Sequence, residues 1–237
     1  MYEAEDAELY DLVHQGRGKD YAAESARVVA LARQAAPAAH SLLDIACGTG
    51  HHLRYFADEF AEVAGVDLSE DMLATAKALL PGVPLHQADM RDFTLNRKFD
   101  VVTCMFSSIG HMRSVAELQA AIDCFGRHTT SGGVAVVDPW WFPETFLPGY
   151  VAADVVRTDH RTVARVSHSS VAGNATRMEV HYLVADPEHG VRHVHESTLI
   201  TLFSQREYEQ AFERAGFTPS YADSAPGQRG LFVARRR

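Results

Sequence analysis

Through the first 138 positions, short apolar runs alternate with stretches whose apolar residues recur at helical spacing. Ala22 to Gln34 carries Ala, Val and Leu on one helical face and stops before Pro37. Ser41-Leu42-Leu43-Asp44-Ile45-Ala46 then reads as a first buried strand, Cys47-Gly48-Thr49-Gly50 as a tight turn, and His51 to Phe60 as the helix it feeds. Glu62 to Asp67 is a second strand; Ser69 caps a helix running to about Leu80, where Pro81-Gly82 ends it. Leu85-His86-Gln87 is a short third strand and Phe99 to Met105 a fourth. A helix from Glu117 to His128 and a turn at Ser131-Gly132-Gly133 lead into a fifth strand, Val134 to Asp138. This alternation predicts a mostly parallel sheet with helices on both faces.

The pattern changes after Asp138. Pro139-Trp140-Trp141-Phe142-Pro143 cannot continue a helix, and from Val155 to Phe203 the period shortens to that of strands. Thr162 to Ser169, Ala175 to Val184 and Arg192 to Leu202 are expected strands, separated by turns at Ala172-Gly173-Asn174 and Asp186-Pro187-Glu188-His189-Gly190. Ser204 to Ala215 is again a helix ended by Gly216, and Phe217 to Tyr221 and Leu231 to Ala234 supply two last strands, seven in all for the main sheet. The expected organisation is therefore a core over 1–138 with an N-terminal helical cover, an inserted antiparallel lobe over 139–203 that binds substrate, and completion of the core by 204–237.

Charge narrows the partners. A formal net charge of −9 over 237 residues opposes nucleic acid, and the one dense basic run, Arg235-Arg236-Arg237, reads as a frayed tail. Three cysteines, Cys47, Cys104 and Cys124, lack any framework spacing and fit reduced thiols in the cytoplasm. No apolar stretch reaches membrane-span length and no apolar run follows the acidic N-terminus, so neither an anchor nor an export signal is expected. His193 and His195 share a strand face, but no Cys, Asp or Glu cluster joins them, and no metal is expected.

Candidate chemistry gathers where the strands end. Gly48 and Gly50 let backbone approach a ligand at a helix N-terminus, an arrangement that would by itself also suit a dinucleotide. The spacing Asp44-x-Ala46-Cys47-Gly48-Thr49-Gly50 departs from the G-x-G-x-x-G of pyrophosphate binders. Asp67 ends the second strand, placed to accept both hydroxyls of a ribose, and Asp89, Met90 and Arg91 follow the third, placed for an adenine ring. Together these elements match the class I methyltransferase motif series, which implies S-adenosylmethionine as cofactor. Asp44 is then the partner of its ammonium end, with Arg17 or Lys19 for its carboxylate; Tyr10, Ala46, Leu68, Met72 and Met105 flank these elements and complete the expected contacts. Cys47 inside the loop is a packing residue. His111, in the loop after the fourth strand, stands where an acceptor would lie.

Several segments carry a more specific resemblance, nearly end to end. They are 7–16, Gly18-Lys19-Asp20-Tyr21, 89–93, Cys104 to His111, Pro139-Trp140-Trp141-Phe142-Pro143-Glu144, Val166-Ser167-His168-Ser169, 175–181 and Arg229-Gly230-Leu231-Phe232-Val233. In these the chain resembles the N,N-dimethyltransferases of dTDP-linked 3-amino-deoxysugars, enzymes of macrolide antibiotic biosynthesis. The resemblance implies a Rossmann-like class I methyltransferase fold and two sequential in-line methyl transfers to the amine. It implies that Tyr2 and His111 flank the sugar amine beside Ser108, that Arg229 faces the nucleotide diphosphate, and that Trp141 shapes the sugar or thymine pocket. Arg165, Ser167 and His168 are further candidates for the diphosphate. The chain departs from relatives at Val66-Asp67, where Leu-Glu is expected, at Asp138, where Glu is usual, and in the loop 224–230. Those departures bear on which sugar nucleotide is preferred. Other readings of the residues are a methyltransferase for a different small amine or a sugar hydroxyl, and a non-catalytic S-adenosylmethionine-binding module. The lobe, with open strand edges, is expected to pair two subunits into a homodimer.

Overall fold

The computed structural model describes residues 4–225 and 228–237, and the side chains of all of these except 4–8 and 10. Strands β1 (Ser41–Ile45), β2 (Glu62–Asp67), β3 (Leu85–Gln87), β4 (Phe99–Cys104), β5 (Thr129–Val137), β10 (Phe217–Ala222) and β11 (Leu231–Arg236) form one sheet in the order β10-β11-β5-β4-β1-β2-β3. Only β11 runs against its neighbours. All five residues of β1 are buried, as a central strand covered on both faces requires.

Successive side chains of these strands point to opposite faces, so each strand feeds two cores. Leu42, Val101, Val134 and Val136 pack with α2 (Tyr21–Ala35) and α3 (His51–Glu59) through Val28, Ala32, Leu53 and Phe56. Leu43, Val102, Ala135 and Phe232 pack with α5 (Val115–His128) and α6 (Gln205–Arg214) through Leu118, Ile122, Phe125, Tyr208 and Phe212. Each fully buried large side chain contributes about 1.5–3 kcal/mol. Ser69 caps α4 (Glu70–Leu79) by accepting from the Met72 N–H, Ser114 caps α5, and Ser204 with Glu207 forms a reciprocal capping box on α6.

Two expectations change. The fifth strand starts at Thr129, five residues early, because Ser131-Gly132-Gly133 is a bulge within it and not a turn before it. Gly132 takes φ 77°, and the pairing with β4 jumps from Phe99↔Thr129 to Val101↔Val134. The lobe has four strands instead of three: β6 (Tyr150–Arg157), β7 (Thr162–Ala172), β8 (Ala175–Asp186) and β9 (Gly190–Thr201), an antiparallel sheet in sequence order. Val151-Ala152-Ala153 hides the alternation that would have revealed β6.

The helical cover also belongs to both parts. Helix α1 (Ala4–Gly16) sets Leu9 and Val13 against Val163, Val180, Tyr182 and Val184 of the lobe sheet. It lies so close to β6 that a Cβ on Gly16 would come 2.4 Å from Val156 Cγ1. On its other side Asp11 accepts from Thr49 Oγ1 at 2.8 Å, next to the glycine turn. Strand β9 meets a 3-10 turn, Ser108–His111, where a Cβ on Gly110 would lie 2.6 Å from Ile200. These contacts suspend the lobe over the C-terminal ends of the parallel strands.

Candidate active site

Between those strand ends and the inner face of the lobe runs one cleft of about 1980 Å³. Behind its deep end, which Ile45 and Ala46 line, the Asp44 carboxyl is buried on β1 outside the lining itself and accepts from Thr103 Oγ1 at 2.7 Å. Burial, less the Thr103 bond and with added repulsion from Asp67, moves its pKa up to about 7. The turn that follows is made of left-handed backbone: Ala46 at φ 57°, Gly48 at 55° and Gly50 at 85°. Gly48 opens onto free space, while a Cβ on Gly50 would press on Leu80 and Ala76 at 3.1 and 3.2 Å.

Asp67, at the end of β2, accepts from the Gly48 N–H at 2.8 Å and the Ser69 N–H at 2.9 Å, and burial raises its pKa. Leu68 next to it is 66% exposed and lines the cleft, an apolar side chain left for a flat ring to cover. Met72, Met90 and Met105 line the same region. Asp89 accepts from the backbone N–H and guanidinium of Arg91, which hold its carboxyl below the usual range; Arg91 also donates to Glu117 at 2.9 Å. Arg91 thus orients Asp89.

The two basic candidates of the N-terminal segment diverge. Lys19 lies 2.7 Å from Glu24 and stands 3.8 Å over the Phe106 ring, beside the cofactor end. Arg17 is engaged by Asp154 of β6 at 2.6 Å, which turns it to the lobe side. Tyr2 lies outside the described residues; Tyr10 falls within α1, its side chain outside them too.

After β4 the chain again takes left-handed backbone, at Phe106 (φ 56°) and Ser107 (φ 60°), a conformation that costs a bulky residue about 1–3 kcal/mol. Ser107 Oγ donates to the Pro139 carbonyl at 3.1 Å and Ser108 Oγ to the Met105 carbonyl at 2.9 Å, fixing the 3-10 turn that presents His111. His111 faces the cleft with protein around it, and this crowding, reinforced by Arg113, lowers its pKa against the pull of Asp67.

Toward the lobe, Arg229 donates from Nε to the Pro139 carbonyl at 3.0 Å and lies 3.5 Å from Asp138. Its guanidinium rests over Trp140 and Trp141 at 5.1 and 5.4 Å. Arg165 and Ser167 are buried on the inner face of β7 and line the cleft. His168 does not join them. Between Ser167 and Ser169 the pleat turns it to the outer face, so Ser169 takes the place expected of His168. The period-2 spacing from Arg165 and Ser167 was the signal for Ser169.

Sequence reasoning also missed Tyr182, Glu196 and Thr198 of the inner face, and two residues at the centre of the cleft, Phe106 and His14. The His14 ring stands edge-on to Phe106 at 4.9 Å. Burial, with Arg17, Arg165 and Lys19 nearby, brings its pKa down to about 4. Cys47, Cys104 and Cys124 are buried and free. Among the described residues no group of three or more His, Cys, Asp or Glu could hold a metal ion, and His193 and His195 lie on the far face of the lobe. No described helix is long and apolar enough to cross a membrane.

Residues 42–133 match a family model described as a methyltransferase domain. The chain is 58% identical, over 98% of its own length and 98% of the relative's, to dTDP-3-amino-3,4,6-trideoxy-alpha-D-glucopyranose N,N-dimethyltransferase of Streptomyces venezuelae. It is 44% identical, over 100% of its length and 94% of the relative's, to dTDP-4-amino-2,3,4,6-tetradeoxy-D-glucose N,N-dimethyltransferase of Saccharopolyspora spinosa. Among solved structures, an amino pentose methyltransferase of Micromonospora echinaspora involved in calicheamicin biosynthesis, with S-adenosylmethionine bound, superposes with a TM-score of 0.91 at 46% identity, covering 97% of each chain.

Proposed function

This chain belongs to the S-adenosylmethionine-dependent N,N-dimethyltransferases of dTDP-linked amino-deoxysugars, and from that membership we propose that it twice methylates the 3-amino group of a dTDP-3-amino-deoxyhexose in antibiotic biosynthesis. The observation that carries the reading is the continuity of the cleft. At about 1980 Å³ it exceeds the roughly 300–1,000 Å³ of a single-ligand pocket, and His111 lies on its wall with acidic strand ends on one side and arginines on the other. A 3-amino acceptor is favoured over a 4-amino one because the relative of higher identity acts on a 3-amino sugar.

The deep end fits the cofactor: a buried carboxyl with a single hydroxyl partner, an open glycine, and an exposed leucine beside a second carboxylate. Asp44 and the backbone of Ala46, Gly48 and Gly50 would hold its ammonium end, Lys19 and Tyr10 its carboxylate, and Asp67 its ribose; Arg17, held by Asp154, is not among them. Asp89, oriented by Arg91, would take the adenine amino group among Leu68, Met72, Met90 and Met105. When bound, S-adenosylmethionine supplies an electrophilic methyl group.

His111 does the proton work. Its surroundings keep it neutral near pH 7, so it accepts the proton that the sugar ammonium must lose before nitrogen can attack. Ser108, whose own proton goes to the Met105 carbonyl, offers lone pairs to the amine N–H, with Tyr2 as a second orienting partner. Arg229, Arg165, Ser167 and Trp141 anchor the nucleotide sugar, so that catalysis rests on positioning. The same His111 can serve the second transfer, because the methylated amine again leaves a proton behind.

In this reading residues 1–138 and 204–237 carry the cofactor and the lobe, 139–203, the substrate. The lobe also pairs two copies into a homodimer, and three free buried thiols accord with a cytoplasmic enzyme. The test is mass spectrometry of the protein with S-adenosylmethionine and dTDP-3-amino-3,6-dideoxyglucose, its 4-deoxy analogue, or a 4-amino sugar nucleotide. Stepwise gain of two methyl groups on a 3-amino sugar is expected. Faster methylation of the 4-amino sugar would overturn the 3-amino assignment.

A further inference from the structure

We infer that Phe106 is a positioning residue for the cofactor: its ring face holds the Lys19 ammonium without occupying a hydrogen-bond donor, which leaves those donors to the cofactor carboxylate. The inference rests on the reading of Lys19 as that carboxylate's partner and adds the residue that aims it.

Phe106 leaves β4 with φ 56°, and Ser107 repeats the left-handed conformation at 60°. A bulky residue keeps such a backbone only where its surroundings over-determine it, and residues so held cluster at ligand sites. The surroundings here are specific. The ring lines the cleft, His14 packs edge-on to it at 4.9 Å, and Ser107 Oγ fixes the next residue on the Pro139 carbonyl.

Lys19 reaches this ring from the segment between α1 and α2. Its Nζ stands 3.8 Å from the centroid of Phe106, with Tyr21 as a second ring at 5.5 Å. The Lys19 side chain is only 12% exposed, and this burial lowers its pKa while Glu24 pulls it back up. An ammonium so short of water needs protein partners in its place. Glu24 supplies one at 2.7 Å and shares its carboxylate with His52 Nε2 at 2.9 Å. Lys19, Phe106 and His52 line the cleft and Glu24 does not, so the ion pair holds the ammonium from behind.

The choice of a ring follows from donor arithmetic. An ammonium carries three N–H donors, and Glu24 takes one. A carboxylate or hydroxyl in place of Phe106 would take another and compete with the cofactor. An aromatic face attracts the charge through its quadrupole and takes none. A leucine would fill the same space without that attraction.

Calorimetry of S-adenosylmethionine binding to the full chain tests this. Lys19→Met should weaken binding at least about tenfold. Phe106→Leu should weaken it about three- to tenfold, and Phe106→Tyr, which keeps the ring, less than about twofold. In the Lys19→Met background, Phe106→Leu should cost less than about twofold more. 5′-Methylthioadenosine keeps the adenosine but lacks the amino-acid tail, and all these proteins should bind it within about twofold of one another. A ring that merely supports the fold would weaken both ligands together. Phe106→Met serves if Phe106→Leu fails to fold. Unchanged affinity in Lys19→Met overturns the Lys19 reading and this inference with it. Where Lys19→Met is impaired, three results each overturn the role of Phe106 alone: full affinity in Phe106→Leu, equal losses for both ligands, or additive losses in the double variant.

Discussion

The two walls of the cleft are built on different principles. The cofactor wall is made of strand ends: Ala46, Gly48 and Gly50 after β1, Phe106 and Ser107 after β4, all with positive φ. There backbone groups face the cleft, and their aim is set by conformations few residues tolerate. The lobe wall is a sheet face, with Arg165, Ser167 and Ser169 from β7, Tyr182 from β8, and Glu196 and Thr198 from β9. Its side chains project from a regular ladder whose backbone hydrogen bonds do not depend on their identity. One wall thus resists change and the other accepts it. A methyl donor can stay fixed on such a scaffold while the acceptor drifts, as the 3-amino and 4-amino relatives illustrate.

Variants on each wall should separate cleanly. Asp67→Ala removes the acceptor of the Gly48 N–H and the expected ribose partner together. S-adenosylmethionine affinity should fall about 100-fold by calorimetry, the order of two charge-assisted hydrogen bonds. An unchanged Kd would remove Asp67 from the cofactor site. Arg229→Ala on the opposite side should raise KM for the sugar nucleotide roughly tenfold or more and leave the cofactor Kd within about twofold. A loss of both affinities together would mean that the walls are not independent.

His14, where the walls meet, gives a pH signature. Its folded pKa of about 4 lies below the 6.5 of an unperturbed histidine. Between those values the unfolded chain takes the proton and the folded one does not, so stability is lost as pH falls from 6.5 toward 4. His14→Gln should recover about 1–2 kcal/mol at pH 4 relative to pH 7.5, reduced from the full shift because the ring borders the cleft. Parallel urea titrations of the two proteins would reveal equal pH slopes if His14 plays no part. The smallest effect belongs to His168→Ala. With its ring on the outer face, steady-state KM for the sugar nucleotide should move less than about twofold, whereas Ser169→Phe on the inner face should raise it. A large effect of His168→Ala would contradict the register of β7.

Much of this was legible from local signals. The Gly48–Gly50 turn, Asp67 and Asp89 each sit at a strand end, and an apolar run followed by a breaker marks that position in the chain itself. The seven strands of the main sheet followed for the same reason, whereas their spatial order was not read from the chain. His168 was misplaced because its motif was read as a block, although a strand sends neighbours to opposite faces. Phe106 escaped because nothing in Met105-Phe106-Ser107-Ser108 announces a left-handed aromatic residue.

By itself, then, the sequence determined the alternating architecture, the methyl-donor motif and the family, since each is written in spacings of a few residues. The tertiary structure alone decided that α1 bridges the lobe and the glycine turn, that Arg17 turns to Asp154, that His14 is held neutral, and which face of β7 meets the cleft. These depend on contacts between residues far apart in the chain and on burial, the quantities a short window of sequence does not contain.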